Sequence, residues 1–203
     1  GDRVVRGMVG GGEATVGDLW LSQDVRLFPE VLLESQLLPA TPQQVYERLF
    51  GPESRFEERF RSSRGEKVST VTPWERAEGT RFTHRRRLCY TSPVTKQVGP
   101  FQVAKVTRVE ENQECRLSDG FFGLKSTIRF LDIPLGDSFS VTTRWYLPAE
   151  GDAASLLTIR CNVVFVKTTM FRSKITTETC KDLRNLYTLW LQAARQALTG
   201  ALP

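Results

Sequence analysis

The chain has few of the residues on which catalysis and metal binding depend. Its only histidine, His84, lies in an arginine-rich stretch, and the sequence places no nucleophile beside it for a Ser-His-Asp or Cys-His arrangement. No GxGxxG or GxxxxGK[ST] pattern occurs, so a nucleotide-phosphate loop is not indicated. We therefore predict no enzymatic activity, no metal site and no cofactor.

Cysteine is also scarce, and the spacing of the cysteines does not indicate a metal site or a disulfide framework. The four cysteines contain no CxxC pair, so we predict reduced structural thiols of a cytosolic setting rather than a zinc site. They are Cys89, Cys115, Cys161 and Cys180.

Long apolar runs are absent, but enough apolar residues are present for a sizeable core. No apolar run approaches 18 residues, so no membrane-spanning helix is predicted. Among 203 residues, 40% are hydrophobic and 10% aromatic, which are globular values. We predict a flexible flank over residues 1–31, glycine-rich at its start, and one domain over residues 32–199. The net charge of +5 is mild; it fits an anionic partner surface, but an ordinary soluble protein is the more common case.

A long amphipathic helix is predicted at the C-terminal end, from Arg172 to about Leu198. About 26 residues make a helix about 39 Å long, which needs an extended surface to lie along. Its apolar positions recur every three or four residues, as on one helix face. These positions are Ile175, Thr179, Leu183, Leu186, Trp190, Ala193 and Ala197.

Short elements precede this helix. Leu32–Leu38 is predicted as a strand, followed by a helix over Pro42–Phe50 with Thr41 as its N-cap and Gln44 completing a capping box. A second box, from Ser54 to Glu57, predicts another short helix.

Residues 67–168 show the alternation that is typical of strands. Turns are expected at residues 110–113, 135–137 and 150–152, and Thr91–Pro100 is expected to be a loop. The predicted strands are Lys67–Trp74, Arg81–Tyr90, Phe101–Glu110, Glu114–Phe122, Ser126–Ile133, Ser138–Leu147 and Ser155–Thr168. The fold class is therefore α+β: a helix-grip in which a curved antiparallel sheet of about six to seven strands wraps a long C-terminal helix, with two short helices after the first strand.

Charged clusters in this region have two interpretations. Three consecutive arginines, Arg85, Arg86 and Arg87, must point to both faces of a strand, and the inward one needs a partner or a polar ligand. They suit either a charge-protected edge or a phosphate-binding surface. The acidic pairs Glu57-Glu58 and Glu110-Glu111 are predicted to be solvated. Paired exposed aromatics of an RNA-binding sheet are not found, so no nucleic acid is predicted.

Several segments resemble the VASt domain, the START-like module found after GRAM domains in the Aster and Lam sterol-transfer proteins and in their plant relatives. The most specific is residues 133–139, Ile-Pro-Leu-Gly-Asp-Ser-Phe; the tail, with Lys167-Thr168-Thr169 and Lys174-Ile175 before Trp190, resembles the plant-type branch. The other matching segments are Glu34-Ser35, Pro42–Phe50, Thr72-Pro73-Trp74 and Tyr90-Thr91-Ser92-Pro93.

The resemblance implies a sterol cavity between the sheet and the long helix, closed by the loop Thr91–Pro100. Tyr90, Thr91 and Ser92 are candidates for holding the sterol hydroxyl, and Val94, Val98 and Lys96 for touching the membrane. The loop is more polar here than in the sterol-transfer members. The expected cavity residues are Leu88, Tyr90, Thr91, Ser92, Val94, Val98, Phe101, Val103, Phe121, Leu124, Phe139, Val141, Trp145, Ile159, Cys161, Leu183, Leu186 and Trp190.

Two functions follow as hypotheses. In the first, the domain transfers a sterol or another lipid between membranes by a non-vesicular route, at endoplasmic reticulum or plasma-membrane contact sites. It would be a cytosolic, monomeric domain of a membrane-associated protein. In the second, the core is solid, and a basic surface with Arg85, Arg87 and Lys96 binds anionic phospholipid or a protein without transfer.

Overall fold

The structure, a computed structural model, describes residues 24–78, 81–94 and 105–200. Eight strands form one antiparallel sheet in the order β1-β8-β7-β6-β5-β4-β2, with β3 paired to β4. The strands are β1 Glu30–Leu38, β2 Lys67–Val71, β3 Glu75–Arg76, β4 His84–Pro93, β5 Val106–Ser118, β6 Phe121–Phe130, β7 Phe139–Glu150 and β8 Ala154–Phe165.

Helices cover one face of this sheet, which confirms the predicted helix-grip arrangement. The helices are α1 Pro42–Val45, which continues as a π-helical turn over Tyr46–Phe50, α2 Phe56–Ser63 and α3 Arg172–Thr199. A 3-10 turn, Gly136–Ser138, precedes β7. Within the described ranges, no helix is long and apolar enough to cross a membrane.

The predicted start of the first helix is confirmed, but the second differs. Thr41 caps α1 in a full capping box: its hydroxyl accepts from the Gln44 amide, and the Gln44 side chain accepts from the Thr41 amide. For α2, the N-cap is Arg55 and no side chain caps it; Ser54 instead accepts a hydrogen bond from the Phe56 amide at 3.2 Å.

The long helix α3 confirms the sequence prediction in length and position. Its buried face is rotated slightly from the predicted apolar stripe. Ile175, Leu186, Ala193 and Ala197 from the predicted stripe are only partly buried against the core. The buried face consists of Cys180, Leu183, Tyr187, Trp190, Leu191, Ala194 and Leu198. A helix face that meets a sheet is wider than one row of residues, so the neighbouring row is included.

The middle of the sheet corrects two sequence predictions. β5 runs unbroken from Val106 to Ser118, so the turn predicted at residues 110–113 is wrong, and the chain reverses at Asp119-Gly120 instead. β4 extends to Pro93, so the predicted loop from Thr91 begins as strand. Polar side chains suggested a turn at 110–113, but their alternation continues through it.

A glycine in the family-specific segment is required by a close backbone approach. A Cβ atom on Gly136 would lie 2.4 Å from the carbonyl oxygen of Phe130 and 3.0 Å from a side-chain carbon of Ile133. The Gly136 amide donates to the Ile133 carbonyl at 3.0 Å. Only glycine therefore lets the chain turn tightly between β6 and β7.

Candidate functional site

Most of the predicted cavity residues meet in one buried cluster between the sheet and the helices. Leu186 packs against this cluster, and Thr91, Ser92 and Val94 are half-buried at the end of β4. Lys96, Val98, Phe101 and Val103 lie outside the described residues. The buried members are Leu88, Tyr90, Leu124, Phe139, Val141, Trp145, Ile159, Cys161, Leu183 and Trp190.

Phe121 is placed elsewhere. It packs with Phe82 and Tyr146 in a second cluster, apart from the main core. Its neighbour Phe122 is fully buried in the main core instead. Adjacent residues on a strand point to opposite faces, so only one phenylalanine of the pair can face the helices.

Aromatic rings dominate the centre of the main cluster. Trp190 of α3 lies edge-on to Trp145 of β7, with ring centroids 4.7 Å apart, and edge-on to Phe56 of α2 at 5.7 Å. Trp145 also contacts Phe50 at 5.8 Å and Tyr187 at 5.3 Å. One group of rings thus joins the sheet to all three helices.

Beside these rings lies a buried polar cluster that the sequence analysis missed. The Glu111 carboxylate accepts hydrogen bonds from Arg61 at 2.6 Å, Ser126 at 2.6 Å, Gln113 at 2.7 Å and Tyr90 at 3.3 Å. Arg61 of α2 is only 8% exposed and also pairs with Glu57 and Glu66. We call Arg61, Glu66, Tyr90, Glu111, Gln113 and Ser126 the polar cluster.

One donor of the polar cluster remains unused. The Arg61 guanidinium lies over the Tyr90 ring at 3.9 Å, and its terminal nitrogens bond to carboxylates. Its Nε has no hydrogen-bond partner among the described residues and is buried. A buried N–H without a partner is costly, and a ligand oxygen would satisfy it.

Arg86 extends the charges to the edge of the cluster. It is the inward-pointing member of the three consecutive arginines, for which the sequence predicted a partner or a polar ligand. It pairs with Glu57, donates to Gln113 at 2.7 Å, and stacks on Trp74 at 4.3 Å. The acidic pair Glu57-Glu58 is therefore split, with Glu57 partly buried and Glu58 exposed.

The contacts within the polar cluster shift the pKa values of Glu111 and Tyr90. Burial alone would raise the pKa of Glu111, but Arg61 and the hydrogen bonds from Ser126 and Gln113 outweigh it, so that pKa is lowered. Burial and the Glu111 charge raise the pKa of Tyr90 well above its ordinary value. Glu111 is therefore a buried carboxylate, and Tyr90 a neutral donor.

The free energy of unfolding should fall in acid as the Glu111 carboxylate becomes protonated. Because the pKa of Glu111 is lower in the folded chain than the usual value of about 4.3, its contribution is present above that value and is lost as pH falls through the folded pKa. We expect Glu111→Gln to flatten the loss of unfolding free energy between about pH 5 and pH 2. Urea unfolding across that range measures it.

The neighbouring change Glu110→Gln is the matched control, because Glu110 faces outward and pairs with exposed Arg87. It should leave most of the pH dependence in place. Equal slopes for wild type and Glu111→Gln would show that the buried carboxylate is not ionised as described.

A sequence signal for the polar cluster was present. Residues 107, 109, 111, 113 and 115 are all buried, so Glu111 and Gln113 lie in an unbroken inward row with Val109 and Cys115. The prediction that Glu110-Glu111 is solvated is therefore wrong for Glu111, which is 4% exposed. Period-two alternation that continues through polar residues would have indicated it.

Arg85 and Arg87, predicted to contact membranes, are exposed on β4. Arg87 pairs with Glu110 at 2.7 Å, and Arg85 lies opposite Glu114 on β5. Residues assigned by sequence to the flank also pack on the sheet: Asp24 is 1% exposed and pairs with Arg144 at 2.7 Å.

The family is decided by comparison with known proteins. A sequence profile described as VASt, the VAD1 Analog of StAR-related lipid transfer domain, matches residues 31–182, most of the chain. The chain belongs to the VASt family. The family is one of lipid-binding domains.

A curated relative is Protein VASCULAR ASSOCIATED DEATH 1, chloroplastic, from Arabidopsis thaliana. It is 26% identical over 163 residues, which cover 77% of this VASt chain. The chain spans about a quarter (26%) of that relative's length.

Two solved structures are also similar. TTHA0849 from Thermus thermophilus matches with 13% identity and a TM-score of 0.46, over 83% of this chain and 97% of that one. Ara h 8.0201 matches with 8% identity and a TM-score of 0.48, over 82% and 95%.

Proposed function

We propose that this VASt domain binds a sterol between the sheet and α3 and carries it between membranes. The observation that supports it is the buried juxtaposition of a large apolar cluster with one polar cluster holding an unused donor. A sterol has the matching form, because a rigid apolar ring system ends in a single hydroxyl.

The apolar part would supply the affinity and the polar part the orientation. Burial of apolar surface contributes about 25 cal/mol per Å², and the rings would lie among Trp145, Trp190 and Leu183. The side chains of this cluster pack against each other, so a sterol must displace some of them. The hydroxyl oxygen would accept the hydrogen bond from Nε of Arg61.

Of the hydroxyl-binding candidates from sequence, Tyr90 belongs to the polar cluster and Ser92 bonds to it. Tyr90 donates to Glu111, and Ser92 donates to Glu66 at 3.3 Å. Their role would be to hold the two carboxylates that position Arg61, rather than to touch the sterol. The domain would bind and carry the sterol without catalysis, as a cytosolic part of a membrane-associated protein at membrane contacts.

Titration with a fluorescent sterol tests this. Dehydroergosterol should bind saturably, and unlabelled cholesterol should displace it. Cholestane has the same rings without the hydroxyl, so it should compete about tenfold or more weakly, because it leaves the Arg61 N–H unpaired. Phosphatidic acid and phosphatidylserine should not compete.

A matched pair of variants tests the proposed anchor in the protein. Arg61→Lys keeps the charge but removes the Nε donor, and should weaken sterol binding about tenfold. Arg59→Lys, on the exposed side of the same helix, should bind like wild type. Absence of saturable sterol binding by the wild type would contradict the sterol proposal. If the wild type binds no sterol but attaches to liposomes that contain anionic lipid, a surface-binding module is favoured instead.

A further inference from the structure

The segment between β8 and α3 exposes apolar side chains in an unusual concentration. Met170 is 90% exposed, Val166 is 70% exposed and Phe171 is 39% exposed, all within six residues. Single exposed apolar residues are ordinary on a protein surface, but a protruding group of three calls for a partner. We call Val166, Met170 and Phe171 the apolar tip.

Strand register brings further exposed apolar residues to the same end of the sheet. Phe165, the last residue of β8, pairs with Phe139 at the start of β7, and Phe130 at the end of β6 pairs with Val109 near the start of β5. Leu131 follows β6 and Val106 begins β5, and they are 45% and 48% exposed. The apolar tip is thus part of a wider apolar rim.

Cations lie next to the apolar tip in the sequence. Lys167, Arg172 and Lys174 are exposed in or directly after it. Asp137 pairs with Lys167 and Asp132 pairs with Arg108, so these four charges balance, and Arg172 and Lys174 supply the excess positive charge. The local charge is positive, which complements an anionic surface.

A small cleft lies beside the apolar tip and offers polar groups. Its volume is about 250 Å³. Hydroxyls and cations line it together with apolar side chains: Phe165, Val166, Lys167, Thr168, Thr169 and Arg172. The Arg172 guanidinium lies over the Phe165 ring at 4.7 Å, and both residues line the cleft. This chemistry suits a phosphate ester with neighbouring acyl chains.

We propose that the apolar tip and its cations dock this domain on bilayers containing anionic phospholipid. Val166, Met170 and Phe171 enter the acyl boundary, while Arg172 and Lys174 contact headgroup phosphates. Three exposed apolar residues with exposed cations beside them in the sequence suit the boundary between the acyl chains and the headgroups of a bilayer. The docking surface does not require that the bound lipid be a sterol.

Vesicle partition tests the docking surface. The wild type should bind phosphatidylcholine vesicles that contain phosphatidylserine, bind vesicles without it far more weakly, and be released by salt. The double change Met170→Ser with Phe171→Ser should lower the partition coefficient at least about tenfold. Lys174→Glu should lower it several-fold at low salt.

Two controls make the outcome specific. Leu189→Ser removes a residue that is 52% exposed on α3, away from the apolar tip, and should partition like wild type. Arg85→Gln with Arg87→Gln tests the other basic surface predicted from sequence, and should leave most partition intact. Unchanged melting temperatures would show that each variant folds.

The outcomes separate docking from sterol binding. The Met170→Ser, Phe171→Ser double variant should still bind dehydroergosterol in the absence of vesicles, where docking is not needed. Docking is overturned by wild-type partition of this variant, by no binding of the wild type to anionic vesicles, or by a loss confined to the Arg85 and Arg87 changes. None of these results depends on whether a sterol is bound.

Discussion

Replacing Arg61 by methionine is expected to lower the free energy of unfolding by about 3–5 kcal/mol. Methionine keeps much of the side-chain volume but removes the charge that faces Glu57, Glu66 and Glu111. Glu66 and Glu111 are 6% and 4% exposed, so water cannot replace the lost guanidinium. Urea or thermal unfolding of the folded domain measures the change.

The same substitution at Arg59 is the control for Arg61→Met. Arg59 lies on the same helix, is exposed, and bonds only to the Arg55 carbonyl, at 3.4 Å, among the hydrogen bonds described. Arg59→Met should change stability by less than about 0.5 kcal/mol. An Arg61→Met effect no larger than that would mean that the polar cluster is open to water.

A double change shows whether the cost arises from the orphaned carboxylate. In Arg61→Met with Glu111→Leu, the two partners joined by the 2.6 Å bond are removed together. Because the Glu111 charge is then absent and Glu66 keeps its pair with Arg64, the loss should be clearly smaller than the sum of the single losses. An additive result would assign the cost to packing rather than to charge.

Trp190→Ala is expected to lower the free energy of unfolding by about 3–5 kcal/mol, for a different reason. The indole contacts Trp145, Phe56 and Phe50, so its removal leaves a space between α3, α2 and the sheet. The adjacent change Leu189→Ala should cost less than about 0.5 kcal/mol, because Leu189 is exposed. Calorimetry or urea unfolding gives both values.

Adding sterol to Trp190→Ala connects stability to the proposed function. A ligand that binds the folded state stabilises it by mass action, by about 2.7 kcal/mol at one hundred times its dissociation constant. If the sterol lies where the indole was, it should restore part of the lost stability. Failure of sterol to stabilise either the variant or the wild type would argue for a solid core.

The elements that sequence predicted well are those governed by local chemistry. The helix from Arg172 has a sustained 3.6-residue pattern, and the capping box at Thr41 depends on residues only three apart. The reversal at residues 150–152 uses Gly151, whose φ of +62° favours glycine. Such signals need no knowledge of the rest of the chain.

The parts that sequence predicted poorly are those decided by distant partners. Alternation places Glu111 in the inward row of β5, but local pattern does not show that Arg61, 50 positions earlier, is its partner. Phe121 and Phe122 are chemically alike, yet only Phe122 joins the main core. Composition and local pattern carry no information on such pairings.

The sequence by itself determined that this chain builds an antiparallel sheet against a long C-terminal helix, and its segments were enough to indicate the VASt family. Its alternation and helix periods are local properties, and residues 133–139 carry the strongest family pattern. The tertiary structure alone decided which charges are buried and which apolar residues are left outside. Burial of a charge depends on a partner across the fold, as for Glu111, and exposure of Met170 depends on no element covering it within the described chain.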